Sequence, residues 1–216
     1  MDFRASHQAR GSLFLAQVLC FARCLKAHNL GGLFTVKFYR LVLAIAALWL
    51  SPAYSKDPHT LEDARNFHRV SDVLLTAGQI YPEQVAALQS ESVELIINLA
   101  VADPSRNAEE PFAVQQAGIN YVNIPVLWDA PTPRDLELFF AMMDARQGRK
   151  TLVHCFANFR ASAFTYLYRV IREGVPEVDA RKDLYAVWDE AKFDENPVWR
   201  TFINESMASH GFAAGE

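Results

Sequence analysis

One segment combines residue types that together can perform nucleophilic chemistry. It runs from Val153 to Ser162 and reads VHCFANFRAS. Cys155 directly follows a short apolar run, and Arg160 comes five positions later, where a helix is expected to begin. A loop between a strand and a helix N-terminus offers free backbone N–H groups and the positive end of the helix dipole. A cysteine in such a place ionises readily, and an arginine there can hold a phosphate through two hydrogen bonds. The pattern therefore predicts a thiolate nucleophile beside an anion site.

The elements that would position this segment alternate along the chain. Apolar or β-branched runs predict strands at 73–75, 95–99, 121–124 and 151–154. Apolar periodicity and end signals predict helices from Pro82 onward and at 108–117, 132–148, 160–173, 178–192 and 197–209. Thr132 is the expected N-cap of the third helix, with Pro133 at its first position. Strands that alternate with helices predict an α/β fold with a mainly parallel central sheet flanked by helices.

The segment around Cys155 resembles the active-site loop of the cysteine-dependent tyrosine and dual-specificity phosphatases. In that family His-Cys is followed by five residues, an arginine, and a serine or threonine. Here His154 and Cys155 match, and the spacer has four residues, as in some bacterial relatives. Further similarity lies in Asn66–Ser71, Thr76–Gln79, Asn123–Val126 and Ala130–Pro133. The resemblance covers roughly residues 66–172, so it is stronger than an isolated Cys-Arg pair.

The resemblance implies a mechanism with no metal and no other cofactor. Cys155 would attack phosphorus, and Arg160 would bind the phosphate oxygens. Asp129 would protonate the leaving oxygen and later activate the water that hydrolyses the phosphocysteine, and Asp135 is its competitor for this role. Substrate binding falls to the neighbouring residues, namely His154, Phe156, Ala157, Asn158, Phe159 and Ser162. The expected partner is a phosphorylated protein or a small phosphomonoester.

The loop contains no glycine, although phosphate loops usually need one residue with positive φ. Asn158 is the residue best able to adopt that conformation. Two alternatives to a phosphatase therefore stay open. Rhodanese-type sulfurtransferases also use Cys, four residues and Arg, and their cysteine carries a persulfide. A non-catalytic phosphate-binding domain is the other alternative, because bulky Phe156 and Phe159 would narrow the pocket.

The first 55 residues differ in charge from the rest of the chain. They carry six basic residues and one acidic residue, whereas the remainder has a net charge of −9. Lys37 and Arg40 precede ten apolar residues at 41–50, which are too few for a membrane span of about 20. This pattern predicts a signal peptide within 1–55 and one phosphatase-like domain at 56–216. We expect a periplasmic or secreted protein; the alternatives are a membrane anchor and, if the segment is no signal, a cytoplasmic protein.

The composition of the whole chain limits its other partners. The protein has 216 residues, of which 51% are hydrophobic, and a net charge of −4. Because nucleic-acid binders usually carry a basic excess, no nucleic-acid partner is expected. The three cysteines, Cys20, Cys24 and Cys155, are too few for a disulfide framework. Cleavage after Ser55 would leave Cys155 as the one cysteine of the mature chain.

Overall fold

The structure is a computed structural model that describes residues 59–212, all within the unit Asp57–Glu216. The predicted signal peptide lies outside the described residues, so export and the boundary at residue 56 stay predictions. No helix between residues 59 and 212 combines the length and the apolar character that crossing a membrane requires.

The described part of the chain is organised around a five-stranded sheet. Its strands are β1 (His68–Ser71), β2 (Leu74–Ala77), β3 (Leu95–Asn98), β4 (Asn120–Asn123) and β5 (Thr151–His154). The sheet order is β1-β2-β5-β3-β4. All neighbours are parallel except β1, which pairs with β2 antiparallel at the edge. This arrangement confirms the predicted α/β fold with a mainly parallel central sheet.

Within residues 59–212, seven α-helices connect and cover the strands. They are α1 (Val85–Ser90), α2 (Glu110–Gln116), α3 (Pro133–Ala145), α4 (Phe159–Ile171), α5 (Glu177–Val187), α6 (Glu190–Asp194) and α7 (Pro197–Ser209). Short 3₁₀ helices occupy Leu61–Asp63 and Pro82–Gln84. The prediction of one helix near 178–192 is wrong, because Trp188 adopts an extended backbone there. The Asp189 side chain then accepts a hydrogen bond from the Lys192 N–H and begins a new helix.

Each face of the sheet carries its own hydrophobic core. One core includes Cys155 and Val153, and side chains of α3, α4, α5 and α7 pack into it. The other includes Leu152 and receives Leu88 of α1 and Val114 of α2. Successive residues of a strand point to opposite faces, so His154 and Cys155 are directed to different cores. Five aromatic side chains of α3 and α4 are buried in the first of these cores, namely Phe139, Phe140, Phe164, Tyr166 and Tyr168.

Candidate active site

The loop that begins at Cys155 lies at the carboxyl edge of the sheet. His154 ends β5 and is in register with Ala77 of β2 and Asn98 of β3. The Cys155 N–H donates to the Ala77 carbonyl at 3.3 Å, and α4 begins four residues later at Phe159. Cys155 is 1% exposed and forms no disulfide. The fold thus brings the predicted nucleophile to a strand end directly before a helix N-terminus.

Asn158 adopts the left-handed conformation that the loop requires, with φ +67°. Its buried side chain Nδ2 donates to the Asn66 carbonyl at 2.6 Å and to Thr76 Oγ1 at 3.0 Å. In return, the Asn66 side chain donates to the Ala157 carbonyl at 3.0 Å. The prediction that Asn158 supplies the positive φ is confirmed, so a loop without glycine closes normally here. Asparagine adds an anchor that glycine cannot provide.

Gly78 permits the segment around Arg65 to lie close against the loop. The Gly78 N–H donates to the Arg65 carbonyl at 2.7 Å, and the Gln79 N–H donates to the Phe156 carbonyl at 3.3 Å. A Cβ at position 78 would lie 2.7 Å from the Arg65 carbonyl oxygen, which is too close for any larger residue. The need for glycine at this position is therefore steric.

Arg160 is a buried cation that no acidic side chain of the described residues neutralises. The residue is 7% exposed, and its Nε is buried without a hydrogen-bond partner. Within residues 59–212, Arg160 forms no ion pair. Its guanidinium carbon lies 5.6 Å from the ring centroid of Trp128 and 5.8 Å from that of Phe156. Buried arginines are almost always paired, so Arg160 is suited to bind an anionic ligand.

Backbone donors near Arg160 favour the same ligand. The N–H groups of Phe156, Ala157 and Phe159 donate to no acceptor in the described part of the chain. No side chain caps the N-terminus of α4, which leaves the positive end of its dipole open to the loop. Free N–H groups, a helix N-terminus and an unpaired arginine together form an anion cradle. The residues that form the cradle directly follow Cys155 in sequence.

His154 points away from the cradle and toward α2. Its Nε2 lies 2.6 Å from Glu110 Oε1, and both side chains are fully buried. Glu110 Oε2 also accepts a hydrogen bond from Gln79 Nε2 at 2.6 Å. Burial raises the pKa of Tyr121, and the charge of Glu110 adds to this rise. His154 therefore supports the strand end below the loop, and its predicted contact with substrate stays a prediction.

Glu110 is a site-supporting residue that sequence analysis missed. It is 1% exposed although it is a carboxylate in the first turn of a short helix. The signal in the sequence was its spacing, because Glu110 and Val114 are separated by one helical turn and share the buried face of α2. A carboxylate on an apolar face indicates a specific buried partner.

Asp129 lies on the loop between β4 and α3, directly after Trp128. The contact between the Trp128 ring and Arg160 brings this loop to the cradle. Asp129 is exposed and lines an open groove of about 660 Å³ between its loop, α3 and α7. Its competitor Asp135 is already bound, because its carboxylate accepts from the Thr132 N–H at 3.1 Å and hydroxyl at 2.7 Å. Thr132 is the N-cap of α3, as predicted, and the role of Asp129 as general acid stays a prediction.

Ser162 is buried in the first turns of α4, and its hydroxyl donates to the Phe159 carbonyl at 3.0 Å. It also borders a cavity of about 10 Å³ beside His68 and Asp183. The hydroxyl is thus bound within the helix, and its predicted role in substrate binding stays a prediction.

Aromatic side chains from the C-terminal helices support both loops of the site. The Trp128 ring lies 5.6 Å from Trp188 and 5.3 Å from Trp199, centroid to centroid. Phe159 stacks on Trp188 at 4.8 Å, and Trp199 Nε1 donates to the Trp128 carbonyl at 3.1 Å. Trp128 therefore packs against the core and also borders the site through its contact with Arg160. Residues 59–212 contain no group of three His, Cys, Asp or Glu side chains placed to hold a metal ion.

Comparison with known proteins gives phosphatases as structural neighbours. No family model matches the chain, and no curated protein matches it. A protein named putative phosphatase (DUF442), from Shewanella putrefaciens CN-32, is 34% identical, with 70% of this chain and 94% of that chain covered and a TM-score of 0.62.

More distant neighbours share the fold. P. aeruginosa TpbA is 18% identical, with 65% of this chain and 84% of that chain covered and a TM-score of 0.52. A TpbA Cys-to-Ser variant in complex with pTyr is 20% identical, with coverages of 74% and 98% and a TM-score of 0.51. At the level of the fold, these matches confirm the resemblance to cysteine-dependent tyrosine and dual-specificity phosphatases.

Proposed function

Because the chain belongs to the DUF442 family of phosphatase-like proteins, we propose that it hydrolyses phosphotyrosine or another phosphomonoester through a phosphocysteine intermediate. The observation that carries the proposal is buried Arg160, which follows Cys155 at the start of α4 and has no ion pair with residues 59–212. Backbone N–H groups of the loop between them also lack acceptors among those residues. A dianionic phosphate supplies the missing charge and accepts several hydrogen bonds at once. The complex of TpbA with pTyr supports phosphotyrosine as a substrate class to test first.

The proposed reaction proceeds in two displacements. Cys155 Sγ forms a bond to phosphorus while the ester oxygen leaves and takes a proton from Asp129. Arg160 and the loop N–H groups hold the phosphate oxygens, on which negative charge is distributed in the transition state. Asp129, now a carboxylate, removes a proton from water as the water attacks the phosphocysteine. Inorganic phosphate leaves, and the thiolate is restored.

The sequence left two alternative functions open, and the experiment described below distinguishes both from a phosphatase. The spacer of four residues also suits a rhodanese-type sulfurtransferase. The glycine-free loop favoured a non-catalytic binder, but Asn158 adopts the positive φ that a glycine would otherwise supply. No structural observation favours either alternative over the phosphatase.

The test compares p-nitrophenyl phosphate hydrolysis with sulfur transfer from thiosulfate to cyanide. We expect phosphate hydrolysis only, and we expect Cys155→Ser to abolish it while vanadate still binds. Arg160→Lys is expected to lose most activity, because an ammonium group cannot replace the planar guanidinium fork. Arg149→Lys is the matched control, since Arg149 is exposed and precedes β5 at the opposite edge of the sheet. Sulfur transfer, or vanadate binding by the wild type without turnover, would refute the proposal.

A further inference from the structure

A second arginine lies beside the candidate active site. The guanidinium carbon of Arg106 is 4.7 Å from the centroid of the Phe156 ring, which also contacts Arg160 at 5.8 Å. The two guanidinium carbons are therefore at most about 10.5 Å apart. Unlike Arg160, Arg106 is open to solvent, with 58% of its side chain exposed. One cation thus lies within the site and one on its rim.

The loop that carries Arg106 is firmly folded. Buried Asn107 accepts a hydrogen bond from the Asp103 N–H at 2.8 Å and donates to the Val101 carbonyl at 3.0 Å. The Arg106 N–H donates to the Asp103 carbonyl at 3.1 Å. These bonds fix the backbone on both sides of Arg106, so little backbone conformational entropy is lost when its side chain binds a ligand.

Arg106 has donors to spare for a second anion. Its only ion pair with the described residues is a single contact, from Nε to Asp103 Oδ2 at 3.2 Å. Asp103 is itself engaged by Ser105, whose N–H and hydroxyl donate to Oδ1 at 2.9 and 2.7 Å. A guanidinium carries five N–H donors, so its Nη atoms stay free to bind a carboxylate or phosphate.

We propose that Arg106 is a specificity residue that binds an acidic side chain of the substrate close to the phosphate being removed, and that the substrate is a phosphotyrosyl peptide with acidic neighbours. This inference rests on the proposed phosphatase function. Phe156 and Trp128 are half-buried and provide aromatic surface beside Arg160 for the ring of a phosphotyrosine. An extended peptide rises about 3.3 Å per residue, so a side chain two positions away lies roughly 7 Å along the chain. That spacing is compatible with the upper limit of about 10.5 Å between the two guanidinium carbons.

The test uses one phosphotyrosyl peptide in two versions. One version has glutamate at both positions before and both positions after the phosphotyrosine, and the other has glutamine at the same four positions. In the wild type we expect kcat/KM to be about two- to five-fold higher for the glutamate peptide, the size of one exposed ion pair. Arg106→Gln should reduce this ratio to about one. Arg149→Gln removes the same charge at the opposite edge of the sheet and should keep the ratio. In the wild type the ratio should also fall as salt screens the pair.

The result separates this inference from the proposed function. A protein that hydrolyses both peptides with a ratio that Arg106→Gln leaves unchanged would overturn the inference alone. If no peptide is hydrolysed, the proposed function fails, and the inference is tested by binding instead. Dissociation constants of the two peptides for Cys155→Ser, with and without Arg106→Gln, must then show the same ratio and the same loss, and equal affinities would overturn it.

Discussion

Replacement of Asn158 by glycine and by alanine separates the two tasks of this residue. Its backbone is left-handed, and its buried amide donates two hydrogen bonds, to Asn66 and Thr76. Both substitutions remove the two hydrogen bonds, which contribute about 1 kcal/mol each. Alanine must in addition adopt the left-handed conformation, at a cost of about 1–2 kcal/mol that glycine avoids. We therefore expect the free energy of unfolding to fall by about 2 kcal/mol in Asn158→Gly and about 3–4 kcal/mol in Asn158→Ala.

Urea denaturation followed by tryptophan fluorescence measures these differences, and p-nitrophenyl phosphate hydrolysis measures their effect on the cradle. The kcat/KM values should follow the order wild type, Asn158→Gly, Asn158→Ala, because the loop N–H groups depend on this backbone. Equal stability of the two variants would contradict the conformational part of the reasoning. A glycine variant as stable as the wild type would contradict the part based on hydrogen bonds.

Two further predictions concern the carboxylates. Asp129→Asn should lower the rate of phenyl phosphate hydrolysis by about 10²–10⁴-fold and that of p-nitrophenyl phosphate less, because nitrophenolate leaves without a proton. Asp135→Asn should only lower the stability, by about 1 kcal/mol, through the lost helix cap. If Asp135→Asn instead shows the rate pattern expected for Asp129→Asn, Asp135 is the general acid. Glu110→Gln should lower the free energy of unfolding by about 1–3 kcal/mol, because buried His154 loses its charged partner. Glu109→Gln is the control, because Glu109 is the exposed neighbour of Glu110. Equal urea midpoints of Glu110→Gln and Glu109→Gln would show that the buried pair of Glu110 and His154 contributes nothing to stability.

Local patterns in the sequence were sufficient for most of the sheet and for the loop. The apolar run before Cys155 predicts β5, and the order Thr132-Pro133 predicts the start of α3, because both depend on neighbouring residues alone. The positive φ at Asn158 also followed from the loop's own composition. By contrast, β1 has no apolar run, and its alternating half-buried and exposed residues become a strand only by pairing with β2.

The remaining features of the site depend on contacts between distant parts of the chain. Glu110 meets His154 across 44 positions, and Arg106 meets Phe156 across 50, so no local spacing relates the members of either pair. Resemblance to a family did not supply them, because it assigned roles only to residues of the shared motifs. The topology explains both meetings: β3 and β5 are neighbours in the sheet, so the segment after β3 lies beside the loop after β5.

The C-terminal helices help to support the candidate active site, although the family resemblance ended near residue 172. Trp188 stacks on Phe159 at the start of α4, while Trp199 donates a hydrogen bond to the Trp128 carbonyl on the loop of Asp129. Trp188 and Trp199 also contact each other, with ring centroids 5.9 Å apart. The proposed general acid and the anion cradle therefore rest on one aromatic cluster. We therefore expect a change in the packing of α5–α7 to shift both loops together, although these helices are far from both loops in sequence.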